Sequence, residues 1–319
     1  MPEDRNPGDW MPGAGPDQLR ARAELLASIR DFFQQKGVLE VETPMLSSAG
    51  NSDPGIAQFC LREPPLFLRT SSEYPMKRLL AAGSGDIYEL GRVFRAGEQG
   101  RYHNPEFTML EWYRVGWSYR QLMDEVSELV RHCLPESSFS ESRVSYRDLL
   151  QAYTGIDPLS DPDEVIRARI AGTDFEVPGL DRQAMLDLLV SHAVQAELAT
   201  GAMTFVYDYP PEQAALARIR PDTPPVAERF ELFLGQVELA NGYQELTDAA
   251  EQRHRFEREN RLRQQHGVAP APIDERLLGA LRAGLPDCSG VALGVDRLLM
   301  RRVGARSLDE VLAFPASRS

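Results

Sequence analysis

Long apolar runs are missing from this sequence. No uninterrupted stretch approaches the roughly 18 residues that a membrane-spanning helix needs, and no charged-then-apolar segment opens the chain. Export and membrane insertion are therefore not expected. Cysteine is scarce: Cys60, Cys133 and Cys288 are odd in number, far apart and free of CxxC or Cys/His spacing. That pattern excludes a disulfide scaffold and a structural zinc site, and points to reduced core thiols in a cytoplasmic protein. Positive charge is also in deficit, with 35 Lys+Arg against 48 Asp+Glu giving a net −13. No basic run is long enough to track a nucleic-acid backbone, so extensive tRNA binding is not expected. There is no internal repeat and no GxxxxGK[ST] loop, so a nucleotide site would have to be built on strands. What remains is an ordinary globular composition, 42% hydrophobic and 26% charged over 319 residues, enough to bury a sizeable core.

Residues 1–16 hold four prolines and three glycines without apolar periodicity and read as a flexible tail. A helix follows from Asp17 to Gln35, with Leu25, Leu26, Ile29, Phe32 and Phe33 on one stripe and Gly37 as its stop. A short strand, Val38 to Val41, comes next. Strand patterns run over Leu66–Arg69, Ile87–Arg95 and Phe107–Val115, with a helix at Glu73–Ala82 between them. Ser118 can cap a helix striped by Leu122, Val126, Leu129, Val130 and Cys133. Residues 135–200 read as a polar helical insertion without a chemical motif. Strands return at Met203–Tyr207 and Val226–Leu239, then helices at Asp248–Gln265 and Asp274–Ala283, then a strand and helix over Val291–Val303. Strands and helices come in runs, not in alternation, which predicts an α+β fold: an antiparallel sheet flanked by helices, in one domain over 17–319.

Three segments carry chemistry. In RVFRAGEQGRYHNPEFTMLEWYR, Arg92 to Arg114, charged groups sit inside strands rich in aromatic and aliphatic residues. A turn at Asn104-Pro105 would bring Arg95 near Glu106, Phe107 and Glu111. An arginine fork suits phosphate or carboxylate and an aromatic face suits a purine, although an exposed hairpin with cross-strand ion pairs gives the same pattern. In FELFLGQVELANGYQELTDA, Glu231, Glu238 and Glu245 are spaced by seven. A tight turn at Gly235 would set Glu231 opposite Glu238, where like charges repel unless a cation bridges them; chance spacing in an acidic chain is the bland alternative. In GVALGVDR, small residues lead into a helix that starts at Arg297, so Gly294 can let a ligand lie on the backbone and Arg297 adds charge to the helix terminus.

In this order, the segments resemble the signature motifs of class II aminoacyl-tRNA synthetases of the lysyl branch: GVLEVETP at Gly37–Pro44, FRAGE…HNPEFTMLEWY at Phe94–Tyr113, and GVALGVDR at Gly290–Arg297. TSSEYPMKRLL at Thr70–Leu80 and ELANGYQELTDA at Glu238–Ala249 extend the similarity, which covers nearly all of Asp17 to Phe314. The resemblance implies ATP and Mg2+ as cofactors and Arg95 and Arg297 as catalytic residues, on the α-phosphate with the reacting carboxylate and on the γ-phosphate. It implies that Phe107 stacks on adenine, assisted by Asn104 and Glu106, and that Ala96, Gly97, Glu98, His103, Leu239 and Gly294 complete the ATP site. Glu231 and Glu238 would hold magnesium. Glu73 resembles the residue that takes the backbone-side amine, within a segment that includes Ser71 and Ser72. Glu111, Tyr113 and Glu245, with Asn241 nearby, resemble those around the side-chain ammonium.

Two departures bear on the substrate. Lysyl enzymes usually carry Arg-Asn-Glu where this chain has Arg95-Ala96-Gly97, so the glutamate's role passes to Glu98 or is lost. Ala292 stands where the lysyl motif commonly has glycine, and one methyl in a close-packed pocket favours β-lysine over lysine. The resemblance is strongest to short paralogues that lack the N-terminal anticodon-binding barrel and ligate a lysine-like amino acid to a protein, elongation factor P. Nothing before Asp17 could form a five-stranded barrel. A truncated enzyme charging tRNA and a non-catalytic regulatory paralogue are the alternatives. The motif at Gly37–Pro44 lies at the dimer interface in this family, so a homodimer is expected.

Overall fold

The computed structural model describes residues 10–319. Helix α1 (Pro16–Gln35) opens with a proline in its first turn, where no N–H is needed, and turns Leu25, Ile29, Phe32 and Phe33 inward. Strand β1 (Leu39–Glu40) is followed by a small antiparallel sheet of β2 (Leu46–Ser47), β3 (Cys60–Leu61) and β4 (Leu66–Leu68). Then come α2 (Glu73–Ala81), β5 (Ile87–Phe94) and β6 (Glu106–Val115). Helix α3 (Tyr119–Cys133) starts at Ser118, the expected cap, and Gln121 completes a capping box with it, each satisfying the other's backbone N–H. Beyond it lie β7 (Ser140–Ser145), α4 (Tyr146–Thr154), α5 (Asp163–Ile170), α6 (Arg182–Leu189), β8 (Ala202–Tyr209) and β9 (Ile219–Arg220). Strands β10 (Val226–Leu234) and β11 (Val237–Gln244), helices α7 (Ala249–Gln265) and α8 (Glu275–Gly284), strand β12 (Cys288–Gly294) and helix α9 (Val295–Val303) complete the order.

The main sheet runs β1-β5-β6-β12-β11-β10-β8-β7, with β9 paired to β10. Only β1–β5 and β7–β8 are parallel pairs, which is the antiparallel-dominated α+β architecture expected from the sequence. Alternation along the strands gives the sheet two characters. Leu110 and Trp112 of β6, Val291 and Leu293 of β12, and Phe230 and Leu232 of β10 turn to one core, under Leu25 and Ile29 of α1, Val126 and Leu129 of α3, and Leu298 and Leu299 of α9. The intervening positions, Phe107, Met109, Glu111 and Tyr113 on β6 and Gly290, Ala292 and Gly294 on β12, line an open face.

Four expectations need correction. Of the proposed tail, residues 1–9 lie outside the described residues, but Gly13 and Ala14 are docked, their N–H groups donating to Ala313 O and Leu312 O at 2.8 and 3.0 Å. The 135–200 segment holds α4 to α6 but opens with β7, a polar edge strand (SESRVS) whose solvated face has no apolar alternation to betray it. Cys60 is exposed, whereas Cys133 and Cys288 are buried thiols. The hairpin expected at Gly235 forms, with φ +62° there and Leu234 opposite Val237, but Glu231 does not face Glu238: Glu238 pairs with Phe233 and, beyond a register shift between Leu232 and Phe233, Glu231 pairs with Asn241. The two glutamates are therefore not directly paired, because the turn takes Gly235 and Gln236, one residue later than a Glu231–Glu238 pair requires, and the register shift then moves Glu231 one residue further along β11.

Candidate active site

A cleft of about 800 Å³ lies over the open face of the sheet, between α2, α7 and the start of α9. Register fixes its floor. Glu111 of β6 pairs with Ala292 of β12, Ala292 with Asn241 of β11, and Asn241 with Glu231 of β10, so four candidate residues form one row across four strands. Two residues along, Tyr113 pairs with Gly290 and Gly290 with Tyr243. Residues in one row share a face, so the small side chains of GVALG leave space exactly where neighbouring strands raise carboxylates and phenols.

One end of the cleft is cationic. The guanidinium of Arg95 lies 5.3 Å from the centre of the Phe107 ring, and its Nη1 is 3.6 Å from Glu98 Oε1. Gly97, with φ +77°, turns the chain so that Glu98 reaches back toward that arginine. Arg297 donates from Nη1 to Glu238 O at 2.7 Å, from Nε to Tyr102 O at 3.2 Å, and from Nη2 to His103 Nε2 at 2.9 Å. His103 is held neutral, since burial and then Arg297 lower its pKa, so it can accept that bond. Asp296 anchors the helix start: Oδ2 accepts from Thr108 N at 2.7 Å and Oδ1 from Arg22 Nη1 at 2.5 Å. Asn104 is committed locally, its Nδ2 donating to Glu106 O and its Oδ1 accepting from Ala316 N. Glu106 points elsewhere, half exposed and 3.6 Å from Arg92 Nε, and Ala96 and Gly97 also lie outside the cleft lining.

Glu231, Glu238, Leu239 and Gly294 all line the cleft, and the backbone carbonyl of Glu238 is in contact with Arg297. Among the described residues no three His, Cys, Asp or Glu converge as a metal cage. A pair of carboxylates still suits magnesium, which takes one or two from protein and the rest from phosphate and water. Glu231 is not bare: it is ion-paired with Arg229 and accepts from Asn241 Nδ2 at 3.2 Å. Arg229, whose guanidinium lies 4.5 Å from the centre of the Tyr209 ring, carries no motif signal in the sequence.

The other end is acidic. Glu111 accepts from Ser71 Oγ at 2.9 Å and from Ser72 N at 2.7 Å, so this carboxylate is held by one serine hydroxyl and one backbone N–H. Glu245, Tyr113 and Glu73 complete the wall, and Asn241 has a buried carbonyl oxygen without a partner, an acceptor free for an ammonium. Sequence reasoning missed Lys77, a buried cation touching both Glu73 and Glu245. Only its pairing with Glu73, four residues earlier on α2, leaves a trace in the sequence; Glu245, the partner that makes burial tolerable, is remote in the chain.

Burial raises the pKa of Glu111 to about 7, and that of Glu245 to about 8 against the lowering effect of Lys77. A carboxyl raised in the folded state stabilises the fold fully below its ordinary value near 4.5, and that contribution is lost as pH climbs through 7 to 8. The ligand-free protein should therefore melt at a lower temperature at pH 8.5 than at pH 6. A dicationic amino acid should raise the melting temperature more at pH 8.5; equal shifts at both would contradict this reading of the wall.

A sheet of this order, with arginines from a strand hairpin and from the helix after the last strand, is the catalytic core of class II synthetases. The sequence matches the profile of tRNA synthetases class II (D, K and N) over residues 14–318, and the chain belongs to this family. It is 47% identical over 322 residues to the elongation factor P–(R)-β-lysine ligase of Vibrio vulnificus (strain YJ016), covering 96% of this chain and 98% of that protein. It is also 47% identical over 326 residues to the protein of the same name from Proteus mirabilis (strain HI4320), with 98% of each chain covered.

Proposed function

We propose that this chain is an ATP-dependent ligase that activates (R)-β-lysine, or lysine, as an aminoacyl adenylate. It then transfers the acyl group to the ε-amino group of a lysine on elongation factor P. The observation that carries the chemistry is one continuous cleft with a paired-arginine end and a three-carboxylate end. Near-full-length similarity to ligases of that name supports the acceptor.

In the first step the amino-acid carboxylate attacks the α-phosphorus of ATP and pyrophosphate leaves. Arg95 would hold the α-phosphate and the attacking carboxylate, Phe107 the adenine, and Arg297 the γ-phosphate. Glu231 and Glu238 would hold Mg2+, which when bound neutralises charge on the phosphates. In the second step a neutral amine attacks the carbonyl carbon of the mixed anhydride, the bond from carbon to the phosphate oxygen breaks, and AMP leaves. No covalent side-chain nucleophile is needed; alignment and exclusion of water are what the cleft contributes. Glu73, Glu111 and Glu245 would bind the two ammonium groups. Ala292, between Glu111 and Asn241 in the same row, raises the floor by one methyl, which favours the shifted amine of β-lysine.

The experiment is ATP–pyrophosphate exchange with each candidate amino acid, then transfer to elongation factor P or to tRNA. Exchange is expected to be faster with (R)-β-lysine, and the acyl group to appear on the protein. Strong exchange with α-lysine together with tRNA charging would overturn the proposal. We further propose a homodimer through the face that exposes Leu39, Met45 and Leu46, at 57%, 46% and 43%, which the mass in solution checks. No helix among the described residues is long and apolar enough to cross a membrane. A cytoplasmic setting is proposed from the thiols and the translation-factor acceptor.

A further inference from the structure

Behind the acidic wall of the cleft stands a cation that does not itself line it. The Lys77 side chain is 1% exposed, and its Nζ lies 2.5 Å from Glu73 Oε1 and 2.6 Å from Glu245 Oε2. An ammonium stripped of water is costly, and several kcal/mol of desolvation is offset only by close carboxylates. Burial alone would lower its pKa, but Glu245 and then Glu73 raise it above the ordinary lysine value, so the group is charged. The other titratable neighbours, Tyr113, Tyr243 and Cys288, are kept neutral because burial raises each of them.

This ion pair has two consequences. The first is geometric. With Oε2 engaged by Lys77, Glu245 presents Oε1 over the strand floor, 2.5 Å from where a side chain at Gly290 would begin. One oxygen is anchored and the other faces the cleft. The second is a matter of charge. With all three carboxyls ionised, Glu73, Glu111 and Glu245 bring three negative charges and Lys77 returns one positive charge, leaving minus two; burial keeps protons on Glu111 and Glu245 up to about pH 7 and 8, so that state is complete only when the pH climbs past them or a dication binds. A diamino acid with its carboxylate turned toward Arg95 brings two ammonium groups to this end, so its entry neutralises the wall. At minus three, one carboxyl would keep a proton; at minus one, one ammonium would lie buried without a partner.

We infer that Lys77 is a positioning and specificity-determining residue that orients Glu73 and Glu245 and sets the wall at the charge that selects a diamino acid. The inference rests on the amino-acid reading of this end of the cleft. It is tested with Lys77→Met and Lys77→Gln in pyrophosphate exchange, with lysine and β-lysine as probes and KM measured for each amino acid and for ATP between pH 6 and 9. The KM for the amino acid should rise at least ten-fold while that for ATP stays within about two-fold. The acid limb of kcat/KM for the amino acid should move to higher pH, because Glu73 and Glu245 lose their cation. Unchanged selectivity and an unmoved pH limb, or equal losses for ATP and amino acid, would overturn the inference. Insolubility of both variants would assign Lys77 to folding alone and overturn it too. A parent enzyme that exchanges with no diamino acid would instead remove the functional reading beneath it.

Discussion

Arg297→Ala is expected to lower kcat/KM for ATP in pyrophosphate exchange by about 1,000-fold, the scale seen when an arginine that stabilises phosphoryl-transfer charge is removed. A guanidinium has five N–H donors. Three are directed at Tyr102 O, Glu238 O and His103 Nε2, one from each nitrogen, which leaves one on each terminal nitrogen. A guanidinium fixed by three bonds, with a donor left on each terminal nitrogen, suits capture of a phosphate. Lysine at this position would offer a point charge without the fork, so Arg297→Lys should recover little of the loss. The amino-acid end shares β11 and β12 with this site but uses other side chains, Glu73, Glu111 and Glu245, none of which Arg297 touches, so its affinity measured without nucleotide should be unchanged in Arg297→Ala. An Arg297→Ala enzyme within ten-fold of the parent would remove this residue from the proposed chemistry.

Arg297 also shows how far the sequence could be read. Its place at the start of a helix after a small-residue strand was legible, because GVALGVDR sets alternation against a polar turn. So were the cap at Ser118 and the turn at Gly235, both signalled by residues whose backbone chemistry admits few alternatives. The register beyond that turn was not legible. Whether the turn takes Leu234 and Gly235 or Gly235 and Gln236 is decided by the paired strands, as is the bulge between Leu232 and Phe233, and nothing in ELFLGQVEL alone moves Glu238 away from Glu231. Glu106 could not be read for a similar reason: it begins β6, where alternation with Phe107 sends its carboxylate toward Arg92 and solvent. Roles of the serines were legible only as neighbourhood, since a sequence shows that Ser71 and Ser72 lie near Glu111 by motif but not that they donate to it.

Buried charge was the least legible of all. Arg69, with Glu89 and Thr43, and Arg114, with Glu125 and Trp112, sit in networks whose partners lie 11 to 26 residues apart in the chain. Burying such groups is tolerated only where partners meet in space, and periodicity does not report that meeting. Lys77 belongs with them: a stripe of Met76, Lys77 and Leu80 reads as a snorkelling surface lysine until Glu245, just past the end of β11, is brought within 2.6 Å.

The tightest steric condition in the cleft lies beside that pair, and it makes Gly290→Ala the most selective lesion available. A methyl carbon at Gly290 would fall 2.5 Å from Glu245 Oε1 and closer still to Cε1 of Tyr113. Neither neighbour can withdraw freely: Tyr113 is 3% exposed within β6, and Glu245 is tied through Oε2 to Lys77. The methyl must therefore displace the phenol or break the ion pair, and either change fills the space that would take the side-chain ammonium. We expect kcat/KM for the amino acid to fall by about 100-fold or more, which is about 2.7 kcal/mol of lost transition-state binding. Gly290 is four residues before Gly294, where an added Cβ would meet nothing nearer than Arg297 Cδ at 3.6 Å, so Gly294→Ala should be tolerated sterically. Affinity for ATP, measured by equilibrium binding, should stay within about three-fold in Gly290→Ala. A variant that lost ATP and amino-acid binding together would show that the strand, and not the pocket, had been damaged. One that kept both would show that the wall of Glu245 and Tyr113 does not contact the substrate.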